Sequence, residues 1–293
     1  DVLNPIPPAA VLGGAGTEAS AQQGAGDGAK GKKRRKAEPR SQGHTDSVMG
    51  LAWNRLQGTV LATASADKTV RLWDLASPDG ACVRALEHHG DKVQAVRWHP
   101  SEASVLVTGA FDRTGAVLDV RAEGAQQTLR LRADVECAAW FGESLVLMST
   151  EDGHVTCYDV RTGKDVWTLS AHTSAVAGLS VNPEAAHVFA TCSPDKAVKL
   201  WSAKEGSPAL LASKDDLGLG KLFDVSFCRD APHLLGIGGS TGQVAVWNTL
   251  DCAPMSEALG MRRNVTPAGG SVIVSGMQAI DLNSSSDESD EEG

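Results

Sequence analysis

One spacing, repeated three times, constrains this chain more than any other feature of its sequence. Three histidines each precede an aspartate by 23 residues, and a potential strand ends 30 residues after each histidine. Gap-free agreement at both distances in three copies does not arise by chance, so the chain contains an internal structural repeat. The three pairs are His44 and Asp67, His89 and Asp112, and His172 and Asp195.

Two less complete copies extend the series to five. One lacks the histidine but keeps Asp152 seven residues before Asp159, and the last ends at Trp247-Asn248 with Thr241 in place of the turn aspartate. The repeats end at residues 74, 119, 159, 202 and 248, which are 45, 40, 43 and 46 residues apart. WD repeats have a period of about 40–45 residues, and each forms one four-stranded propeller blade. The sequence therefore predicts an all-β WD-repeat β-propeller with five visible blades between residues 43 and 250.

Each copy also has the residue pattern of short strands. In the first copy VMGLAW, TVLATAS and KTVRLWD are β-branched or alternating runs that turn residues separate. A tryptophan near the end of the first strand recurs at Trp53, Trp98 and Trp140, and Val181 and Phe227 take its place in the last two copies. We expect these large apolar residues to fill the contact between neighbouring blades.

The recurring polar residues predict a buried hydrogen-bond network. A threonine lies four residues before the turn aspartate in three copies, and a tryptophan lies six residues after it in two. A buried aspartate needs donors, which the histidine N–H and the turn amides supply, while the threonine hydroxyl and the indole N–H extend the network. In the second copy Leu118 replaces the tryptophan, so we expect the network to end early there. The predicted network residues are His44, Thr63, Asp67, Trp73, His89, Thr108, Asp112, Asp152, His172, Thr191, Asp195 and Trp201.

Repetition argues against a catalytic interpretation of these histidine–aspartate pairs. An enzyme needs one site, whereas this chain has three equivalent ones, and no Ser-His-Asp set remains outside the repeats. The six cysteines stand singly, which is typical of reduced thiols in an intracellular protein. No apolar run approaches the ~20 residues of a membrane helix. The sequence predicts a non-catalytic protein without a cofactor, a bound metal, a small-molecule substrate or a membrane partner.

The segments GHTDSVMGLAWN, LATASADKTVRLWD, HHGDKVQAVRWHP, STEDGHVTCYDVR and TCSPDKAVKLW, in that order and spacing, resemble the periodic tryptophan protein 1 family. Ser202 and Asn248 depart from the family pattern by replacing the aspartate of WD, and Leu118 departs by replacing its tryptophan. The resemblance implies a seven-bladed propeller, in which residues 1–14 are the end of a preceding blade and a linker.

The same resemblance implies a biological role. Members of the family are nuclear, nucleolar factors that assemble on early large-subunit (pre-60S) precursors and support pre-rRNA processing. The partners it implies are other ribosome assembly factors and ribosomal proteins, with pre-rRNA present in the particle.

The two ends of the chain carry opposite charge. Residues 15–42 form a basic linker that its composition predicts to be disordered, and residues 281–293 form an acidic tail. Between blades and tail, residues 251–280 form a C-terminal extension, and residues 269–281 either return a strand to the propeller or dock on a partner. The linker contains a dense block of basic residues, which favours a role in nuclear import or RNA contact over a merely solubilising role. The residues of this block are Lys30, Lys32, Lys33, Arg34, Arg35 and Lys36.

In the acidic tail Ser284, Ser285 and Ser289 each have an acidic residue three positions on, a pattern that acidophilic kinases prefer. These serines are candidate phosphorylation sites, and an unmodified, solvated tail is the alternative.

Two surface features offer further hypotheses. Lys68, Arg113 and Lys196 directly follow the turn aspartates, so they could form a face for RNA or an acidic partner, although basic residues are also ordinary turn residues. Two successive blades end in D-V-R, at Asp119 to Arg121 and at Asp159 to Arg161. Paired D-x-R boxes mark substrate receptors of cullin-type ubiquitin ligases, which is the alternative function, although arginine after a strand is common.

Overall fold

The computed structural model describes residues 43–76 and 82–260 together with the backbone of a strand at residues 272–274. They form five four-stranded antiparallel sheets, and in each sheet the strands lie side by side in chain order. The predicted all-β WD-repeat β-propeller with five four-stranded blades is therefore confirmed. A ring of seven blades stays a prediction.

The blades are numbered one to five along the chain. Blade one contains β1 (Val48–Trp53), β2 (Val60–Ser65), β3 (Val70–Asp74) and β4 (Cys82–Leu86). Blade two contains β5 (Val93–Trp98), β6 (Val105–Ala110), β7 (Thr114–Asp119) and β8 (Gln127–Arg130). Blade three contains β9 (Val135–Phe141), β10 (Leu145–Thr150), β11 (His154–Asp159) and β12 (Lys164–Ser170). Blade four contains β13 (Gly178–Val181), β14 (Val188–Cys192), β15 (Ala197–Ser202) and β16 (Ala209–Asp215), and blade five contains β17 (Leu222–Phe227), β18 (Leu234–Gly239), β19 (Val244–Asn248) and β20 (Val272–Val274).

Strand register explains the spacing of 23 residues between histidine and aspartate. In blade one Val48 pairs with Ser65 and Trp53 pairs with Leu61, so the turn after β2 returns to the end where β1 begins. The segment before β1, which contains His44, and the turn after β2, which contains Asp67, are therefore neighbours at one end of the blade. The 23 residues that separate the histidine from the aspartate are therefore the combined length of two strands and their connections.

The first strand of each blade lies nearest the propeller axis, because β1 contacts β5, β5 contacts β9, β9 contacts β13 and β13 contacts β17. Apolar clusters fill each of the four boundaries between adjacent described blades. At the first boundary Ala62 and Leu72 of blade one pack with Leu106 and Leu118 of blade two. Burial between sheets, rather than inside any one sheet, forms the core.

The chain leaves blade five and then returns to it. A 3-10 helix, Thr249–Asp251, begins where the Asn248 side chain accepts a hydrogen bond from the Leu250 amide at 3.2 Å, and α1 (Ala253–Ala258) follows. Strand β20 then pairs with β19, with Val274 opposite Val244. Of the two alternatives for residues 269–281, the structure shows a strand that returns, so blade five draws its outer strand from the segment predicted to be an extension.

One side of blade one exposes apolar residues at positions that are buried between blades elsewhere in the chain. Val93 and Val96 on β5 pack against blade one and are 0% exposed. Their equivalents on β1, 45 residues earlier, are Val48 at 49% exposed and Leu51 at 62% exposed. Since identical register positions are buried in blade two and open in blade one, this side has the shape and polarity of a surface that receives another blade.

This contrast between equivalent positions leads to a prediction. Val96→Asp should lower the free energy of unfolding by about 3 kcal/mol or more, because it buries an unpaired charge between blades. Leu51→Asp at the equivalent position should change it by no more than about 0.5 kcal/mol, because its side chain faces solvent. Urea unfolding of both variants provides the measurement. Equal losses would contradict the exposed position of Leu51.

Candidate functional site

Four side chains of blade one form a continuous hydrogen-bond network. The His44 Nδ1 atom lies 2.9 Å from Asp67 Oδ2, and the His44 Nε2 atom lies 2.6 Å from Thr63 Oγ1. The Trp73 indole donates to the same Thr63 oxygen at 2.9 Å. With a proton on Nδ1, the imidazole donates to the aspartate and accepts from the threonine hydroxyl, so each partner is satisfied.

Asp67 is the acceptor at the end of this network. Its carboxylate also accepts from the Thr45 amide at 3.0 Å, the Thr69 amide at 3.0 Å and the Thr69 hydroxyl at 2.7 Å. Burial raises the pKa of Asp67, but the hydrogen bonds from Thr69, Thr45 and His44 outweigh it and hold the pKa well below its usual range. The carboxylate therefore stays ionised as a structural anchor for the turn.

Blade four repeats the network with the same atoms. His172 Nδ1 lies 3.0 Å from Asp195 Oδ2, and His172 Nε2 lies 2.8 Å from Thr191 Oγ1. The Trp201 indole donates to Thr191 at 2.9 Å. Burial lowers the pKa of His172, although Asp195 opposes the shift, so this imidazole is neutral near pH 7.

Blade two reaches the same arrangement by a different route. His89 bonds to Asp112 at 3.1 Å and to Thr108 at 2.8 Å, as its position in the repeat requires. Where the other blades use an indole, the neighbouring His88 places its Nε2 atom 3.0 Å from Thr108 Oγ1. The prediction that this network ends early at Leu118 was therefore wrong, because His88 supplies the missing ring N–H.

His88 is held in its neutral form. Its Nδ1 atom is buried and has no hydrogen-bond partner among the described residues, so a proton there would carry a charge with no acceptor. Burial and, to a smaller extent, the adjacent His89 lower the pKa of His88 to about 4, although Asp112 opposes the shift. Sequence reasoning missed this residue because it occupies no repeat position.

The remaining two blades lack the complete network. No histidine precedes Asp152 of blade three at the repeat spacing. Its carboxylate accepts from the Thr150 hydroxyl at 2.6 Å and lies 3.2 Å from His154 Nδ1 and 3.4 Å from the Arg132 guanidinium. In blade five Ile237 stands where the threonine would be, and the buried Trp247 indole N–H has no partner among the described residues. Three of the five described blades therefore hold the histidine-centred network.

The basic residues after the turn aspartates occupy a left-handed backbone position. Lys68, Arg113 and Lys196 adopt positive φ angles of 71°, 62° and 73°, and Gly153 and Gly242 take the same place in the other blades with φ of 86° and 74°. This left-handed turn position favours glycine, so a lysine or arginine there carries a conformational cost of about 1 kcal/mol.

All three basic side chains are exposed, and two of them reach the next blade. The Lys68 ammonium donates to the Gly90 carbonyl at 2.8 Å, and the Arg113 guanidinium lies 3.5 Å from an Asp134 carboxylate oxygen. These contacts join neighbouring blades at the rim. A binding role for this face stays a prediction.

The two D-x-R boxes have a local role in their turns. Arg121 donates to Asp119 at 2.6 Å, and Arg161 donates to Asp159 at 2.8 Å. Hydrogen bonds from these arginines lower the pKa of each aspartate to about 2. The same turn geometry in both blades accounts for the repeated motif.

At the opposite end of the inner strands, a cavity of about 430 Å³ opens beside the propeller axis. We call it the tryptophan mouth. It lies where β1, β5, β9 and β13 end, whereas the turn aspartates lie where these strands begin. The residues that line it are Leu51, Ala52, Trp53, Arg55, Arg97, Trp98, His99, Pro100, Ala139, Trp140 and Val181.

Backbone contacts fix the orientation of the three indole rings in the tryptophan mouth. Trp98 donates to the Ala52 carbonyl of the preceding blade at 3.0 Å, and Trp140 donates to the Arg97 carbonyl at 3.3 Å. Trp53, 55% exposed, donates to Gly58 within its own blade at 2.7 Å. The tryptophans therefore join blades, as the sequence indicates, and also line a cavity, which the repeat pattern alone does not show.

Several predicted sites lie outside the described residues. They are the basic block of Lys30, Lys32, Lys33, Arg34, Arg35 and Lys36, and the tail serines Ser284, Ser285 and Ser289. Within residues 43–76 and 82–260 no group of three His, Cys, Asp or Glu side chains is placed to hold a metal ion. In the same part of the chain no helix has the length and apolar character needed to cross a membrane.

The fold and the repeated networks define the class, which is a β-propeller that contains WD repeats. The family model for the WD domain, G-beta repeat, matches residues 37–74, 80–117 and 163–202. These matches cover the three copies that contain the histidine–aspartate pair, while blades three and five have diverged from the pattern.

Among individual proteins, the chain is homologous to Periodic tryptophan protein 1. It is 31% identical to that protein of Saccharomyces cerevisiae over 222 residues, which is 70% of the chain and 38% of the relative. It is 26% identical to the Periodic tryptophan protein 1 homolog of Drosophila melanogaster over 242 residues, 80% of the chain and 52% of the relative. An uncharacterized WD repeat-containing protein of Schizosaccharomyces pombe is 41% identical over 255 residues, 85% of the chain and 47% of the relative. The chain thus spans about half the length of these relatives or less.

The blade-one network leads to a stability prediction. Asp67→Ala removes the common acceptor of His44, Thr45 and Thr69 and should lower the free energy of unfolding by roughly 1–3 kcal/mol per buried group left unpaired. The control is Asp230→Ala, which changes an exposed aspartate in the β17–β18 loop and should shift it by no more than about 0.5 kcal/mol. Thermal unfolding measures both, and an unchanged melt of Asp67→Ala would contradict the structural role.

His88 leads to a prediction about pH. The unfolded side chain takes up a proton below its ordinary pKa of 6.5, whereas the folded protein resists protonation until the pKa of about 4. The unfolded state binds more protons in this window, so the free energy of unfolding falls as pH falls from 6.5 toward 4. His88→Asn keeps an N–H donor but cannot titrate, so its stability should vary less with pH there. Parallel urea titrations test this, and equal slopes would contradict it.

Proposed function

We propose that this chain is part of a non-catalytic WD-repeat scaffold that acts in ribosome biogenesis, assembling on early pre-60S precursors and supporting pre-rRNA processing. The observation that carries the proposal is the 31% identity to Periodic tryptophan protein 1 across 70% of the chain. The resemblance of the repeat motifs to that family implies the same process, and it implies a nuclear and nucleolar location.

The geometry supports a scaffold rather than an enzyme. The three histidine–aspartate pairs of the repeat, which could suggest acid–base chemistry, are each bonded to a threonine hydroxyl as well, as His172 is to Thr191 and Asp195. A residue that anchors a blade is not available to a substrate. The part of the blades that is available for function is their exposed surface, which suits binding of protein and RNA partners.

The charged ends complete the proposal. The basic block from Lys30 to Lys36 would direct nuclear import or contact rRNA phosphates, and the serines of the acidic tail would be phosphorylated. Other assembly factors and ribosomal proteins would be the partners of the blades. The cullin-ligase alternative gains no support from the structure, since Arg121 and Arg161 are each engaged by the aspartate of their own turn.

Sedimentation tests this proposal. The tagged protein in nuclear extract should migrate with large-subunit precursors on a sucrose gradient, and RNase treatment should release it to the top. Migration as free protein before and after RNase would contradict the proposal. Co-purification with a cullin adaptor that depends on Arg121 and Arg161 would also contradict it, and would restore the alternative.

A further inference from the structure

We propose that the tryptophan mouth binds single-stranded RNA, with bases stacked on the indole rings and phosphates beside Arg55 and Arg97. This deepens the proposed function, on which its biological setting rests, because a factor on pre-rRNA meets unpaired RNA segments. The inference itself depends on the shape, the ring geometry and the charge of one cavity.

The shape of the tryptophan mouth suits a flat ligand. Its volume of about 430 Å³ lies within the usual range of ligand sites, about 300–1,000 Å³. The three tryptophans and Arg97 stand on the ends of inner strands, which are rigid sheet, whereas Arg55 lies in the loop after β1. Little reorganisation of the strand residues is therefore required when a ligand enters.

The indole rings are already oriented. The N–H groups of Trp98 and Trp140 donate to backbone carbonyls of the preceding blade, so they are not available to a ligand. The rings can therefore offer only their apolar faces and edges. Every nucleobase can stack on such a surface, which is how proteins bind single strands without sequence preference.

The charge of the mouth contrasts with the rest of the chain. The whole chain has a formal net charge of −9, yet two arginines and no aspartate or glutamate are among the described residues that line the cavity. Arg55 and Arg97 are both exposed. His99 contributes no free donor, since its ring nitrogens contact the Glu143 carbonyl at 2.8 Å and the Glu102 amide at 3.0 Å. An acidic protein with a cationic cavity attracts an anion to that cavity.

Other ligand classes fit the mouth less well. A lysine-rich or methylated-lysine peptide would use the indole rings, but the two arginines would repel it. An acidic peptide would pair with the arginines but has nothing to stack on three tryptophans. A polynucleotide strand uses both features, because it alternates anionic phosphates with aromatic bases.

Binding of a ten-nucleotide single-stranded RNA of mixed sequence, measured by fluorescence anisotropy, tests the proposal. The 293-residue chain should carry Gln at the six basic positions from Lys30 to Lys36, so that this block does not contribute. Arg97→Glu and Trp53→Leu, which alter exposed side chains, should each weaken binding by about tenfold. RNA should also quench tryptophan fluorescence, and Trp53→Leu should reduce the quenching.

Arg161→Glu is the matched control. It makes the same change in charge on an exposed side chain at the same end of the strands, in the turn after β11 and away from the cavity. It should weaken binding by less than about threefold, which is the general effect of charge. Thermal melts of the three variants within about 2 °C of the parent would show that the blades remain intact.

Three outcomes would overturn the proposal. One is equal weakening by Arg97→Glu and Arg161→Glu, since binding would then depend on overall charge alone. Another is equal affinity for inorganic polyphosphate or duplex RNA, since neither presents unstacked bases. The last is stronger binding of a ten-residue poly-glutamate peptide than of RNA. None of these experiments involves a pre-ribosomal particle, so failure here is distinguishable from failure of the proposed function.

Discussion

The rest of the structure depends on one interaction, the burial of an ionised aspartate at the turn between the second and third strands of a blade. A buried carboxylate is stable only when donors surround it, and Asp67 receives four hydrogen bonds from three residues. Those donors lie before the first strand and after the turn, so satisfying the charge fixes both the entry of the chain into the blade and the path of its central hairpin. The threonine and the tryptophan extend this network from the turn into the second and third strands of the blade. The blades positioned in this way then bury their apolar surfaces against one another.

The sequence contains enough information to predict this architecture, because the network requires particular residues at fixed distances. Histidine, threonine, aspartate and tryptophan recur at positions set by strand length, so their spacing reports the fold directly. His88 could not be predicted in this way, since it acts from outside the repeat and replaces the indole of a different strand. Strand β20 was equally hard to predict: it has three residues, and the chain travels from Asn248 to Val272 before it returns. The tryptophan mouth was missed because it belongs to no single repeat, and only the packing of several blades brings its residues together.

The two ends of the inner strands have different chemistry. At the end where these strands begin, the turns are occupied by structural contacts, and even the exposed Lys68 and Arg113 bridge to the next blade. At the end where the strands finish, the indole N–H groups are paired with backbone, and the indole rings and two arginines line the cavity. The histidine-centred networks are therefore confined to one end of the described blades, and the cavity that could receive a ligand lies at the other end.

The open side of blade one bears on how this mouth works. Blade two buries Val93 and Val96 against its predecessor and leaves Trp98 half-buried, with the indole bonded across the boundary. If another blade covered Val48 and Leu51 in the same way, Trp53 would take the environment of Trp98, with its N–H turned to the neighbouring backbone and its ring still at the edge of the cavity. Such a neighbour would thus hold Trp53 across a blade boundary, as Ala52 holds Trp98. The packing that stabilises the blades and the surface proposed to bind RNA therefore depend on the same side chains.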